Sequence, residues 1–390
     1  MFQRKFHCLL CALLLTTRVI AAGVDSGGPP GGTRNVILLI GDGMDDQQLT
    51  IARNYLQGAG GQLLIDQLPL RANVQVLTVE ERVNGRPVYV ADSANTATSM
   101  ATGVVTSRGR IATTAGSDRD ITTIVELARA AGYRTGIVTT ASVTDATPAA
   151  FAAHISYRLC ENPSSMTGIF FGNHQPAGCA ADQKVNGGSG SIAEQLAASD
   201  LDLLLGGGRK HFTPLAEGED ISVIEMARRR GFTLVGSRED LAGAAPGGRL
   251  LGLFATGNLP VRLNGESGRA AEQPQPSLLN ELHPYLGGVT RPEPMTCEPT
   301  PAAGAVPRLG DMTDSALARL ALANERGFSL MIESASIDKQ AHKRRPCGSI
   351  GELEQLDEAL ASALAFAEKH PRTLILVTAD HAHAAQLIPE

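Results

Sequence analysis

Asn35-Val36-Ile37-Leu38-Leu39-Ile40-Gly41-Asp42-Gly43-Met44 holds an unbroken apolar run, Val36 to Ile40, followed at once by a glycine and an acid. A run this short and this apolar, with no polar alternation, predicts a strand buried on both faces. Comparable runs recur at Gly136 to Thr139, Leu201 to Leu205, Leu330 to Ile332 and Leu374 to Val377. Helical periodicity at Ile121 to Ala131, Ile221 to Arg230, Thr313 to Asn324 and Ile350 to Glu368 lies between several of them. The alternation predicts an α/β fold with a mostly parallel central sheet and helices on both faces. Ligands of such folds gather beyond the carboxyl ends of the strands, so the residues just after each run are where chemistry is expected.

Composition agrees with this reading. In 390 residues, 43% are hydrophobic and 19% charged, which excludes long-range disorder, collagen and coiled coil. With no Trp, 10 Phe and 5 Tyr, the core must be aliphatic, as buried parallel strands require. The formal charge of -6 argues against a nucleic-acid binder held by a basic surface. From 257 to 310 the chain turns rich in Pro, Gly and Glu, which predicts a surface excursion from one catalytic domain spanning 35–390.

Arg4 and Lys5 precede an apolar run from Phe6 to Leu15, and Ala21-Ala22 follows, a pattern expected of a secretory signal peptide over 1–22. The run is too short for a stable membrane span. Residues 23–34, rich in Gly and Pro, read as a flexible lead-in. Export, to the periplasm or beyond the cell, would leave Cys160, Cys179, Cys297 and Cys347, and an even count in an exported chain favours two disulfides. Cys160 with Cys179 is the local pairing among the three that are open, and Cys297 would then pair with Cys347. None of the spacings resembles a zinc knuckle.

Three strands run into acids or imidazole: Asp42 after Ile40-Gly41, Glu333 after Ile332, and Asp380-His381 after Thr378-Ala379. One carboxylate past a strand is usually a helix cap, but three at equivalent places converge on one crevice. Asp338 and His342, four apart, share one face of a helical turn. Oxygen and nitrogen donors without thiolate suit zinc and magnesium, and this many carboxylates would repel one another without cations. Asp92-Ser93-Ala94-Asn95-Thr96-Ala97-Thr98 places the Ser93 hydroxyl where a helix would begin, among free backbone N–H groups that welcome phosphate. The dinucleotide fingerprint fails because Asp46 stands where its third glycine belongs, and Ser93 lacks the spaced glycines of a hydrolase elbow.

Taken in order from about Asn35 to Ile388, these motifs resemble the alkaline phosphatases, specifically their exported bacterial branch. Asn35 to Met44 looks like the first strand and bridging aspartate, and Asp92-Ser93-Ala94 like the phosphorylated serine segment. Thr144-Asp145-Ala146-Thr147-Pro148-Ala149-Ala150, followed by His154 and Arg158, is similar to the stretch with a magnesium-ligand threonine and the phosphate-gripping arginine. Glu333 to His342 and Thr378 to His383 match the two metal-ligand segments.

The resemblance implies hydrolysis of small-molecule phosphate monoesters through a phosphoserine, in a homodimer carrying two zinc ions and one magnesium per subunit. Asp380, His381, Asp42 and Ser93 would surround one zinc, Asp338 and His342 the other. Asp42, Thr147 and Glu333 would hold magnesium. Ser93 and Arg158 would be catalytic, with Lys339 also on the phosphate, Asp145 acting through water, and His383 supporting a zinc carboxylate. The four cysteines fall where this branch places its two disulfides. Gly206-Gly207-Gly208-Arg209-Lys210 resembles a conformational segment to which no chemistry is given, and His211 beside it matches no family motif. The family's first zinc also takes a histidine several dozen residues beyond the position of His381, so the resemblance implies a chain whose carboxyl-terminal part is missing. A phosphodiesterase or sulfatase on the same architecture, or an inactive fragment that binds metal or phosphate without turnover, are the alternative readings.

Overall fold

Alternate residues of a strand face opposite sides, and here both sides are apolar. The computed structural model describes residues 32–167 and 178–383. Within them β1 (Asn35–Gly41), β2 (Arg134–Ser142), β3 (Leu203–Gly207), β4 (Phe232–Val235), β5 (Arg249–Leu253), β6 (Phe328–Ser334) and β7 (Thr373–Ala379) form one sheet. Its order is β7-β1-β6-β2-β3-β5-β4, and every neighbouring pair is parallel.

Ile40, Ile137, Leu204, Leu251 and Met331 turn to one face. There they meet α2 (Ser93–Thr102), α4 (Ala146–Ala152), α5 (Ile192–Ala198) and α7 (Val223–Arg229), whose small residues let the helices lie close to the sheet. Ile37, Leu39, Val138, Leu205, Leu330 and Ile332 turn to the other. They are covered by α1 (Asp46–Gln57), α8 (Leu309–Ala321), α9 (Ser336–His342) and α10 (Pro346–Lys369). Each fully buried Ile or Leu contributes about 1.5–3 kcal/mol, so this two-sided core dominates the stability.

The fold class expected from the sequence is therefore the one observed, with shifted boundaries, except that the run Leu374 to Val377, expected to be buried, forms the edge strand β7 and leaves Leu374 and Leu376 exposed on one face. The run expected at Leu201 to Leu205 begins at Leu203, because the Asp202 carboxylate accepts from the backbone of Thr135 and from Arg129 and ends the turn there. Helix Ile121 to Ala131 shortens to Ile124–Ala130, α3, set by a capping box between Thr123 and Glu126. Helix Ile221 to Arg230 becomes α7, capped by Ser222. Helix Thr313 to Asn324 starts four residues early at Leu309, where Asp311 bonds back to the Arg308 backbone, and stops before Ala323, whose φ is +46°. Helix Ile350 to Glu368 extends to Pro346, since proline is welcome in a first turn. β4 and β5 carry no expectation in the sequence, because both are short and abut glycine. They complete the far edge of the sheet.

The excursion over 257–310 contains short ribbons, Leu263–Gly265 with Cys297–Pro299 and Gln275–Pro276 with Val289–Thr290. Its last two residues already belong to α8. Both disulfides form as expected, Cys160 with Cys179 and Cys297 with Cys347, the second tying the excursion to the start of α10. The expected signal peptide and most of the lead-in lie outside the described residues. Among those described, no helix is long and apolar enough to cross a membrane.

The two cross-links close sequence separations of 19 and 50 residues. Chain entropy then predicts that Cys160→Ser with Cys179→Ser lowers stability by about 3 kcal/mol and Cys297→Ser with Cys347→Ser by about 4 kcal/mol. Urea unfolding of the two double variants checks the order, and a larger loss from the shorter loop would contradict it.

Candidate active site

Parallel register carries the acids to one end of the sheet. Ile40 of β1 lies beside Glu333 of β6 and Thr378 of β7, so Asp42, Glu333 and Asp380 emerge next to one another. Gly43 bends the chain after β1 with φ +65°, and a side chain on it would sit 3.0 Å from the Asp338 Cβ. Glycine is thus required for the β1 loop to pass over α9. A cleft of about 1440 Å³ opens above this end and is lined by Ser93, Arg158, Asp338, His342, His381 and His383 among others.

Ser93 is the first residue of α2, capped by Asp92. Its Oγ lies 3.2 Å from Asp42 Oδ1 and 3.1 Å from His381 Nε2. His381 Nε2 stands 3.5 Å from Asp42 and 3.6 Å from Asp380. Asp380 is aimed by the Gly43 and His381 backbone N–H groups and by the Thr96 hydroxyl. Asp42, Asp338 and His381 each offer one donor atom within 4.8 Å of the others, and so do Asp338, His342 and His383. His383 reaches Asp338 directly, Nδ1 to Oδ1 at 2.8 Å, and its backbone donates to Asp45. Asp338 thereby belongs to both donor groups.

A third cluster lies deeper. Glu333 is buried, accepts from Thr139, and approaches the Thr147 hydroxyl, which is itself buried without a well-formed hydrogen bond. That orphaned oxygen beside the buried Glu333 carboxylate, whose charge in turn acts on Asp42, is what a hard cation would satisfy. Burial first, and then the charges of Asp380 and Asp338, push the Asp42 carboxyl well above its ordinary range. Burial likewise pushes Glu333 up to about 7, against the pull of Lys339. Asp338 goes the other way, since His383, His342 and His381 outweigh its burial. The donor set therefore fits zinc at the two imidazole-carboxylate groups and magnesium at the all-oxygen one.

Arg158 and Lys339 join Asp92, Asp145 and Asp42 in a charge ladder. Arg158 places its two terminal nitrogens 3.1 Å from Asp92 and 3.1 Å from Asp145. Lys339 Nζ lies 2.8 Å from Asp145 and 3.8 Å from Asp42. Burial opposes both charges of each pair, yet Lys339 and Arg158 hold Asp145 well below its usual range, and the acids keep both cations protonated. Every residue expected at the site is found at this end of the sheet. Sequence reasoning passed over several supports: Asp92 as partner of Arg158, Thr96 on Asp380, Thr139 on Glu333, and the buried Glu352 that accepts from Thr140 and Ser334. Asp92 had a signal, being adjacent to Ser93. The others become neighbours only through strand register.

Comparison with known proteins agrees with the geometry. The family model described as alkaline phosphatase matches residues 33–388. The streptomycin-6-phosphate phosphatase of Streptomyces griseus is 42% identical over 386 residues, covering 97% of this chain and 80% of that protein. The alkaline phosphatase of Escherichia coli K12 is 42% identical over 363 residues, covering 91% and 71%. Among solved structures, alkaline phosphatase from the Antarctic bacterium TAB5 superposes with a TM-score of 0.61 at 26% identity, covering 90% of this chain and 80% of that one. A variant of that enzyme has been solved with magnesium bound. The chain belongs to the alkaline phosphatase family, phosphatases that hydrolyse phosphate monoesters.

Proposed function

We propose that this chain hydrolyses phosphate monoesters by way of a phosphoserine at Ser93, with two zinc ions and one magnesium held at the strand ends. The observation that carries the reading is the Ser93 hydroxyl, seated at a helix start within 3.2 Å of both a carboxylate and an imidazole and facing an arginine across the cleft. Asp42, Asp380, His381 and Ser93 would hold one zinc, Asp338 and His342 the other with His383 supporting Asp338, and Asp42, Thr147 and Glu333 magnesium. When bound, these ions supply charge neutralisation and Lewis acidity at the attacking and departing oxygens.

The chain's own residues supply the rest. Ser93 Oγ, which donates to Asp42 Oδ1, gives up its proton and forms the new O–P bond as the ester O–P bond breaks in line with it, and the departing alkoxide takes a proton from water and leaves as the alcohol. The first N–H groups of α2 and the Arg158 fork take the phosphoryl oxygens, and Lys339 adds a point charge. Water then cleaves the phosphoserine and restores the hydroxyl. Asp92 and Asp145 hold Arg158 in place by sharing its fork before substrate arrives. Two disulfides and the expected leader support export, and the family resemblance supports a homodimer.

Ser93→Ala should lower turnover of p-nitrophenyl phosphate by at least about a thousandfold and abolish trapping of phosphoenzyme at low pH. Label still bound covalently in that variant would place the nucleophile elsewhere. Arg158→Ala should weaken inhibition by inorganic phosphate about tenfold while turnover survives, because the fork binds phosphate in ground and transition states alike. An unchanged inhibition constant would remove Arg158 from the phosphate site.

The raised Glu333 carboxyl gives a linkage test. Its acidity lies near 7 in the fold against 4.5 when free, so the unfolded chain releases this proton first and the metal-free protein loses stability as pH rises from about 4.5 to 7. Bound cations should reverse that, favouring the ionised form. Thermal unfolding of chelated and zinc- and magnesium-loaded protein at pH 5 and pH 8 measures it. Equal stabilisation by metal at both pH values would refute a cation at Glu333.

A further inference from the structure

We infer that Glu161 and His211 are positioning residues for Arg158 and Asp145, an inference that rests on the phosphate-binding role proposed above for Arg158. Neither residue lines the cleft. Glu161 follows Arg158 by three residues, and one of its carboxylate oxygens, Oε2, accepts two bonds: from the Thr144 hydroxyl at 2.6 Å and from His211 Nε2 at 2.9 Å. Thr144 immediately precedes Asp145 and is fully buried, and His211 is only 5% exposed. A single carboxylate oxygen thus joins the loop after β2, which presents Asp145, to the segment that presents Arg158, and fastens both to the short helix α6 (Arg209–Phe212) after β3.

The direction of the His211 bond is fixed from its far side. Asn162 Nδ2 lies 3.0 Å from His211 Nδ1, while Asn162 Oδ1 accepts from the Ser164 backbone. An amide nitrogen can only donate, so Nδ1 accepts and the ring proton sits on Nε2, facing Glu161. The support beneath His211 is rigid. Gly208, Arg209 and Lys210 donate consecutive backbone bonds to the carbonyls of Gly257, Ala255 and Thr256. Gly208 has φ +91°, and a side chain there would meet Ser142, two residues before Thr144, at 2.9 Å. The glycine-rich segment left without chemistry at the sequence level therefore brings α6 against the end of β2 and aims His211 at Glu161.

Mechanically the consequence falls on the guanidinium. Arg158 divides its fork between Asp92 and Asp145, so its orientation depends on where Asp145 stands. Asp145 is set by Thr144 on one side and by Lys339 on the other. Releasing Glu161 frees both the Asp145 loop and the base of Arg158 without touching Ser93 or the two segments, Glu333 to His342 and Thr378 to His383, that carry the proposed zinc ligands, while Thr147 stays buried within α4. Such a change should fall on phosphate affinity and spare the chemical step.

The test uses the 390-residue, oxidised, zinc- and magnesium-supplemented protein and inorganic phosphate as probe. His211→Asn keeps a group near Asn162 but cannot reach Glu161, whereas the His211→Gln amide extends to the Nε2 position. His211→Asn should raise the phosphate inhibition constant, and the dissociation constant from equilibrium dialysis, about tenfold with kcat within about twofold, as outer supports of a site do. His211→Gln should restore both constants to within about twofold of the parent, although both variants disturb the same buried pocket. In an Arg158→Ala background, His211→Asn should add no further loss. Should His211→Asn not accumulate as folded protein, Thr144→Val carries the same expectation, with Thr144→Ser as its rescue. Equal phosphate constants for the Asn and Gln variants, a loss in kcat in place of affinity, or a full additional loss on top of Arg158→Ala would overturn the inference. Phosphate binding unchanged by Arg158→Ala itself would instead overturn the role of Arg158, and the two failures are told apart by that single variant.

Discussion

Mutual repulsion among buried carboxylates is the constraint on which the rest of the structure depends. Asp42, Glu333, Asp338 and Asp380 crowd one end of the sheet, three of them at most 2% exposed and Asp338 at 7%. In a low-dielectric setting such a group is unfavourable unless protons, imidazoles, ammonium groups or metal ions compensate it. The protein uses each kind of compensation in a different place. Burial drives Asp42 and Glu333 toward protonation, three histidines stabilise Asp338, and backbone N–H groups with Thr96 stabilise Asp380. A cluster built this way costs folding free energy until something compensates it, which fits the cation sites proposed above.

The scaffold has to supply enough apolar burial to tolerate it. The interior strands of the parallel sheet pack on both faces, and the register of β1 against β6 and the edge strand β7 delivers three of the acids side by side. Because the strands point the same way, a change in one strand's register would displace its acid by a whole residue. Register is held by the alternation of residues between the two cores, where Ile40 and Met331 face one layer and Leu39 and Ile332 the other. Packing in the core thus sets distances in the site, and Met44 belongs to both.

This division explains what could be read without coordinates. The runs at Val36 to Ile40, Leu330 to Ile332 and Leu374 to Val377 announced themselves by composition, and the acids after them by position. The site residues were therefore legible as endings of strands. Helix starts were read less well, since Thr123 with Glu126, or Arg308 with Asp311, act through local hydrogen bonds that apolar periodicity does not contain. β4 and β5 were missed for a related reason: at five residues or fewer, each is shorter than the window in which periodicity becomes distinct. The contacts of Thr139 with Glu333 and of Glu352 with Thr140 span 194 and 212 residues of sequence and exist only because strands pair in space.

The same distinction separates the residues that perform chemistry from those that hold them still. Under the proposed function, the types and spacings of Ser93, Arg158 and the acids and histidines at the strand ends follow from phosphate and from metal, so they stand out from the background. Glu161, His211 and Thr144 carry types dictated only by one another: any acceptor between two donors would do, provided the backbone brought the three together. Their spacing of 17 residues from Thr144 to Glu161, with His211 on a separate element, follows no chemical rule. Fixing a guanidinium to within a fraction of an ångström nevertheless requires such contacts, since a fork shared by Asp92 and Asp145 is only as steady as the loops that carry them. A glycine segment chosen for backbone shape and a half-buried carboxylate chosen for its two donors are therefore parts of one device, and neither has meaning in the sequence without the other.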